Sequence, residues 1–235
     1  MKPLRLACLS LLCAALPLCA LAAVPALRSY DRQQGYQYVT YGAYPQGAAG
    51  EALPILWRVL SVEDGAAYLL SEYVLEPGQM HHAWEAYGAW PETDLYAHLN
   101  GAFLRSAFTP AQQAALAQRP APGTVFLPSE ADITNPAYGF AGNADRQAPF
   151  TPYAQAQGLF VYRGGRFSPY WTRDRDTKHQ DGSPRRVLEG GKMGFIRAIV
   201  ENLGPRPGVL LHVGAAQALG GAGTRDNPLV LDALP

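Results

Sequence analysis

Residues 54–75 read PILWRVLSVEDGAAYLLSEYVL, and this stretch decides the fold class. Two apolar runs, 55–62 and 67–71, flank a turn that contains Asp64 and Gly65. An Asp-Gly pair in this setting predicts a β-hairpin, because both residues accept the positive φ angles of a tight hairpin turn. The first run is apolar at odd and even positions alike, so we expect a strand with apolar side chains on both faces.

Two helices are expected after the hairpin. The first has apolar residues at the helical period over 95–104, and Thr93 or Asp94 can cap its start. The second, over 109–116, begins with a Thr-Pro pair, which places a capping residue before a proline in the first turn. Prolines at 120 and 122 are expected to stop it.

The remaining elements are shorter. Residues 134–186 are rich in Gly, Pro, Asn, Asp and Arg and have few periodic apolar runs, so we expect a long, loop-rich and functional region there. No internal repeat or domain boundary is visible, and the pattern predicts an α+β fold in a single domain over 36–235. Short strands are expected at 38–41, 124–127, 159–162, 169–172, 194–200 and 207–213.

Composition excludes several classes of protein. The chain has 235 residues, 19 Lys and Arg against 19 Asp and Glu, and 48% hydrophobic residues. This balanced charge offers no basic surface for nucleic acid, so no nucleic-acid partner is expected. The 24 Gly and 20 Pro are non-periodic, which excludes collagen and favours abundant loops.

The first 22 residues predict an export signal. Lys2 and Arg5 precede an apolar stretch, and the small-x-small tripeptide at 20–22 is typical of a signal-peptidase cleavage site. The apolar stretch is shorter than a membrane span, so we expect it to be cleaved and to leave no transmembrane span. The mature protein would then be periplasmic or extracellular. Residues 23–35 are expected to form a flexible lead-in. All three cysteines lie in this segment: Cys8, Cys13 and Cys19. The mature chain would then have no disulfide and no thiol nucleophile.

A series of motifs resembles a bacterial family of exported domains of unknown function. In order they are YGAYPQG, PILWRVLSV, AYLLSEYVL, WPETDLYAHLNGAFLRSAF, TVFLPSEADI, TPYAQAQG, PYWTRD and LGPRPGVLL. They resemble the G-x-Y-P-Q opening, the W-W-L-R-S strand and the V-R-P-A-L ending of that family, and the resemblance covers residues 36–211. Here Tyr96, His98 and Thr172 replace the family's usual Arg, Trp and Leu.

That resemblance implies a C-type-lectin-like fold, the scaffold shared with formylglycine-generating enzymes. It implies a mixed, twisted sheet with two flanking helices and a long loop region that carries any ligand site. The cysteine pair of the formylglycine-generating relatives has no counterpart in the mature chain, so their chemistry does not carry over.

Aromatic and arginine residues in the loop-rich region are the candidate ligand site. Aromatic faces beside planar donors suit a sugar ring or a peptide. The alternative is that Trp171 belongs to the core and Arg173 is a buried structural partner. Arg206 is also expected to be structural, because flanking prolines fix its backbone and favour pairing with a buried carboxylate or carbonyl. The candidate ligand-binding residues are Tyr162, Arg166, Tyr170, Trp171 and Arg173.

Two further clusters contain metal-ligand residue types. His81, His82 and Glu85 offer two imidazoles and a carboxylate, but their spacing matches no established motif, and adjacent histidines point apart in a strand or helix. Asp174, Asp176 and Asp181 could offer oxygen ligands to Ca²⁺, although neighbouring basic residues can neutralise them instead. No cofactor is predicted, and Ca²⁺ is the one ion considered for the acidic loop.

Three functions remain open at this point. The first is a non-catalytic binding module for a cell-envelope glycan or peptide, without enzymatic activity. The second is a metal- or oxygen-dependent enzyme on the same scaffold, and the third is a structural or assembly protein of the envelope with a protein partner. Nucleotide binding is disfavoured, because Gly190-Gly191-Lys192 lacks Walker spacing, and Gly-x-Ser-x-Gly is absent.

Overall fold

The computed structural model describes residues 26–83, 89–118, 122–177 and 183–235. The export signal predicted over 1–22 and part of the lead-in lie outside these residues. The chain has the expected mixed α+β architecture, with one large sheet, one small sheet and short helices. The strands are β1 Gln37–Pro45, β2 Ala52–Glu63, β3 Ala66–Ser71, β4 Val125–Phe126, β5 Tyr170–Arg175, β6 Pro184–Val187, β7 Met193–Phe195, β8 Gly208–His212, β9 Ala216–Gly220 and β10 Leu229–Ala233.

The helices are short and mostly one or two turns long. Three 3₁₀ turns accompany them, at Trp90–Glu92, Pro136–Tyr138 and Val213–Ala215. None of the helices in the described part of the chain has both the length and the apolar character that a membrane crossing requires. The helices are α1 Asp94–His98, a π-helical turn Leu99–Phe103, α2 Leu104–Ala107, α3 Pro110–Ala114, α4 Glu130–Ile133, α5 Asn143–Arg146 and α6 Pro152–Ala156.

The large sheet has seven strands in the order β4-β8-β3-β2-β1-β10-β9, and the small sheet has the order β5-β6-β7. Within the large sheet β1 and β10 pair in parallel, and its other pairs are antiparallel. The first and last strands of the chain therefore lie side by side. Sequence patterns did not reveal β9 and β10, which lie on either side of a glycine-rich stretch at 220–223.

The predicted hairpin is confirmed as β2 and β3 at the middle of the large sheet. Asp64 has a φ of 50° and Gly65 a φ of 74°, as a hairpin turn of two left-handed residues requires. Glu63 pairs with Ala66 across this turn. A register shift between Val59 and Ser61 introduces a bulge in β2. The turn of the hairpin is thus formed by residues that are adjacent in sequence.

Each face of the hairpin packs against its own hydrophobic core. Trp57, Val59 and Leu69 belong to the first core, and Leu60 and Leu70 to the second. All five side chains are fully buried. Apolar residues on both faces of β2, as the sequence predicted, therefore reflect a sheet covered on both sides.

The first predicted helix is confirmed and the second is shorter than predicted. Thr93 caps α1 by accepting a hydrogen bond from the amide of Tyr96, and the helix continues through the π-helical turn into α2. The helix α3 has the expected Thr109 capping box but ends at Ala114. Leu116 instead forms a β-bridge with Leu211, because pairing with β8 outcompetes another helical turn.

Two predicted strands are also corrected. Residues 159–162 form no strand, and residues 194–200 contribute only the end of β7. The amide of Phe160 donates to the carbonyl of Asn202 as a single isolated contact. Both segments contain β-type residues but lack a neighbouring strand along their length, which is what a ladder needs.

Buried charges join the two sheets. Arg206 has no exposed surface, donates from Nε to the carbonyl of Ser71 at 2.7 Å, and lies over the ring of Tyr170 with its Cζ 5.4 Å from the centroid. This confirms the structural role predicted for Arg206. Glu72, next to Ser71, is buried and forms an ion pair with Arg58.

The charge state of Glu72 is set by its cationic neighbours. Burial raises its pKa, but the ion pair and hydrogen bond with Arg58 and the charges of Arg206 and Arg225 outweigh burial, so the pKa lies below the ordinary value of 4.5. Arg225 approaches from the surface, with Nη2 3.2 Å from Glu72 Oε1. One carboxylate therefore offsets several guanidinium charges at this junction.

We expect Glu72→Gln to lower the free energy of unfolding by about 3–5 kcal/mol, because Arg58 loses the charge that compensates its burial. Chemical denaturation at pH 7 measures this loss, with the exposed Glu63→Gln as control. A carboxylate with a depressed folded pKa stabilises above its unfolded pKa and loses that effect as pH falls through the folded value. The gap between wild type and variant should therefore narrow below about pH 4.5. A constant gap down to pH 3 would contradict this assignment.

Candidate functional site

The structure corrects the predicted aromatic-and-arginine patch, because two of its members are in the core. Tyr170 and Trp171 have no exposed surface and belong to different hydrophobic cores. The indole Nε1 of Trp171 donates to the carbonyl of Gly78 at 2.7 Å, and the hydroxyl of Tyr170 donates to the carbonyl of Arg146 at 2.8 Å. Adjacent residues of β5 point to opposite faces, so the two rings pack separately.

Arg173 has a structural role, which was the alternative to ligand binding in the sequence analysis. Its Nη1 lies 3.0 Å from Asp132 Oδ2 and donates to the carbonyl of Leu127 at 2.7 Å. Its guanidinium lies 5.6 Å from the ring centroid of Phe126. These contacts occupy a cleft of about 340 Å³ that also includes Tyr68. Arg173 therefore fixes β5 against the segment that precedes α4.

Of the predicted ligand residues, Tyr162 and Arg166 are exposed. The side chain of Tyr162 is 62% exposed, an unusual value for a large aromatic residue. It forms an edge-on pair with Phe160, which is 38% exposed, with the ring centroids 6.2 Å apart. Both rings lie in the loop-rich region predicted to be functional. Phe160 was missed as a site residue because its run was assigned to a strand.

Phe160 and Tyr162 border a pocket of about 370 Å³. We call it the aromatic–arginine pocket. Its floor and walls combine the small sheet with the segment that leads to β8. Its size lies at the lower end of the range for small-ligand pockets. The lining residues are Phe160, Tyr162, Pro169, Arg186, Leu188, Glu189, Ile196, Val200, Asn202 and Leu203.

Arg186 supplies the positive charge of this pocket. Its Nε is buried and has no hydrogen-bond partner among the described residues. Burial lowers the pKa of its guanidinium, and the charge of Glu189 partly opposes that shift. Neighbouring Arg185 points the other way and donates to Glu130 Oε1 at 2.7 Å. The sequence could have indicated Arg186 as a site residue, because adjacent arginines in a strand point to opposite faces of the sheet.

The acidic loop does not assemble a calcium site among the described residues. Asp174 accepts a hydrogen bond from the backbone amide of Glu130, and burial raises its pKa. Asp176 is buried, with Oδ1 3.7 Å from Arg185 Nη1. Asp181, the third predicted ligand, lies outside the described residues. Each described aspartate of this loop therefore has a protein partner, the amide of Glu130 for Asp174 and Arg185 for Asp176.

The histidine pair contacts a carboxylate that the sequence did not indicate, that of Asp94. His82 Nδ1 lies 2.6 Å and His81 Nδ1 3.3 Å from Oδ2 of Asp94. The two imidazole centroids are 4.5 Å apart, because residues 81–83 form neither strand nor helix and the rings are not forced to opposite sides. Glu85 lies outside the described residues. Asp94 was assigned only a capping role, since nothing in sequence links it to a histidine twelve residues earlier.

A third polar cluster links Tyr44, Glu76 and His98. The hydroxyl of Tyr44 donates to Glu76 Oε2 at 2.6 Å, and His98 Nε2 lies 2.7 Å from Glu76 Oε1. The hydrogen bond to Glu76 raises the pKa of His98 above its ordinary value of 6.5, against the opposing effect of burial. Burial and Glu76 together raise the pKa of Tyr44.

Comparison of the chain with protein-family models, with curated proteins and with solved structures gives no match. What the molecule can do therefore follows from its own geometry and chemistry. In the described part of the chain, two surface features combine groups that suit a ligand. They are the aromatic–arginine pocket and the cluster of His81, His82 and Asp94.

We expect Trp171→Ala to cost about 3–5 kcal/mol of unfolding free energy, because it empties a fully buried site. Tyr162→Ala should change stability by no more than about 0.5 kcal/mol, because the ring is exposed. Urea denaturation of both variants checks this contrast. Equal losses in the two variants would show that Tyr162 is a packing residue.

We expect an NMR titration to place the pKa of His98 above 6.5, and Glu76→Gln to return it towards that value. A raised folded pKa stabilises fully below the unfolded pKa, and the effect is lost as pH rises through the folded pKa. Glu76→Gln should therefore destabilise at pH 5.5 more than at pH 9. An unchanged His98 pKa in the variant would rule out this pairing.

Proposed function

We propose that the protein is an exported, non-catalytic binding module that recognises an acidic glycan of the cell envelope through the aromatic–arginine pocket. The observation that carries this proposal is the pairing of exposed aromatic rings with an arginine whose buried Nε has no hydrogen-bond partner within 26–83, 89–118, 122–177 and 183–235. The two features lie in one pocket within the region that the sequence marked as functional.

The aromatic rings supply the apolar part of recognition. Sugar rings present C–H faces that pack on aromatic side chains, and adjacent exposed apolar residues beside a groove are typical of a ligand-binding surface. Tyr162 and Phe160 meet edge to face, so at most one of them offers a flat surface to a given ring. Tyr162 is the more exposed and is the expected stacking residue.

Arg186 supplies the charged part of recognition. Guanidinium binds carboxylate through two parallel hydrogen bonds, and such charge-assisted bonds are stronger where water is partly excluded. A ligand carboxylate would complete the hydrogen bonding of Arg186 and offset the burial of its charge. Asn202 and Glu189 border the same pocket and can bond to ligand hydroxyl groups.

The proposed scaffold is the C-type-lectin-like fold of the family that the motifs resemble. Its support here is a mixed sheet in which the first and last strands are adjacent, helices that pack against that sheet, and a long loop-rich insertion with its own small sheet. Export is supported by the signal-like segment over 1–22. Both remain proposals that a solved structure and N-terminal sequencing of the mature protein would test.

The test compares a matched pair of ligands that differ only in charge. Isothermal titration calorimetry with oligogalacturonate and with its methyl ester separates recognition of the carboxylate from recognition of the ring. We expect the acid to bind and the ester to bind at least tenfold more weakly. Equal affinity would overturn the role of Arg186, and binding of acidic peptides without binding of any oligosaccharide would replace the glycan with a peptide.

Variants assign the binding to the pocket. Tyr162→Ala should weaken binding by about threefold to tenfold, as the loss of one aromatic contact predicts. Arg186→Gln should weaken it by roughly tenfold or more, as the loss of a bond to a charged group predicts. The control is Phe195→Ala, since Phe195 is 40% exposed but does not line the pocket. A similar loss in Phe195→Ala would place the ligand elsewhere.

A further inference from the structure

We propose that His81, His82 and Asp94 form a binding site for one divalent transition metal ion of the Zn²⁺ class. One ligand atom from each residue lies within 4.8 Å of the other two. Among the described residues, these are the His, Cys, Asp and Glu side chains that come together in this way. The site is separate from the aromatic–arginine pocket and does not depend on the proposed glycan.

The distances suit a metal of this size. Zn²⁺ holds nitrogen and oxygen ligands at about 2.0–2.2 Å, so tetrahedral ligand atoms lie about 3.4 Å apart. The separation of His81 Nδ1 from Asp94 Oδ2 is 3.3 Å, and that of His82 Nδ1 from Asp94 Oδ2 is 2.6 Å. Opening the second distance by under an ångström would admit the ion. Because His82 is 69% exposed, its side chain can turn without disturbing the core.

The main chain around the ligands is fixed before any ion arrives. The amides of Met80 and His81 both donate to the carbonyl of Ala198, at 2.9 and 3.2 Å. The amide of Leu95 donates to the carbonyl of Met80 at 3.2 Å, which ties this segment to α1. Asp94 occupies the first position of α1 behind the Thr93 cap. Such anchoring reduces the ordering that binding would otherwise require.

The ligand types select the kind of ion. Two imidazoles and one carboxylate suit Zn²⁺ and related transition metals, whereas Ca²⁺ requires six to eight oxygen ligands. Three protein ligands are the number found in zinc sites that keep a position for water or substrate. Asp94 accepts hydrogen bonds from His82, so the alternative to metal binding is that the carboxylate only orders this loop.

The test is isothermal titration calorimetry of ZnCl₂ into the purified protein, without a histidine tag and after treatment with a chelator. We expect one Zn²⁺ per chain, and no heat from CaCl₂ at this site. His82→Ala should weaken Zn²⁺ binding by more than about tenfold, since even the loss of a hydrogen-bond partner of a ligand costs about 10- to 100-fold. His212→Ala is the control, because it removes an exposed imidazole that is outside the site.

A second variant separates metal binding from loop ordering. Asp94→Asn keeps a side-chain oxygen that can accept the hydrogen bond from the amide of His82, so the loop should stay folded. We expect this variant to lose Zn²⁺ affinity while its unfolding midpoint in the absence of metal is unchanged. No Zn²⁺ binding by the wild type, or equal affinity in the wild type and both site variants, would overturn the proposal.

Discussion

The burial of arginine charge at the junction of the two sheets constrains the rest of the structure. Arg206 is fully enclosed, binds the last carbonyl of β3 and lies over the first residue of β5. Removing a guanidinium from water costs several kcal/mol unless its charge and donors are met. Glu72 supplies the opposite charge for the neighbouring Arg58, and its field reaches Arg206. The hairpin, β5 and the segment before β8 must therefore keep one relative arrangement.

The two candidate surfaces, the aromatic–arginine pocket and the cluster of His81, His82 and Asp94, are connected by one chain segment. The segment 196–203 runs between them, with Ile196, Val200 and Leu203 at the aromatic–arginine pocket and the carbonyl of Ala198 holding His81. Trp171 donates to the carbonyl of Gly78, and the amide of Gly78 donates in turn to the carbonyl of Leu203 in this segment. Trp171, which the sequence offered as a candidate ligand residue with a core role as the alternative, is therefore a core residue that ties β5 to the segment before the histidine pair.

Local signals were sufficient for the hairpin and the first helix. Neighbouring residues alone form the turn at Asp64 and Gly65 and the cap at Thr93. Both can therefore be predicted from the sequence. The end of α3 could not be predicted from neighbouring residues, because Leu116 pairs with Leu211, almost a hundred residues later in the chain. Similarly, β10 gains its partner β1 from the other end of the chain.

The sequence by itself determined the α+β class, the strand with two apolar faces, the structural role of Arg206 and the region that carries Tyr162. Only the tertiary structure decided that Trp171 is buried while Tyr162 is exposed, and that Asp94, twelve residues after His82, faces the two histidines. The physical reason is that residue type and spacing fix backbone preferences within a few positions. Burial and the meeting of charged groups depend instead on which distant segments pack together.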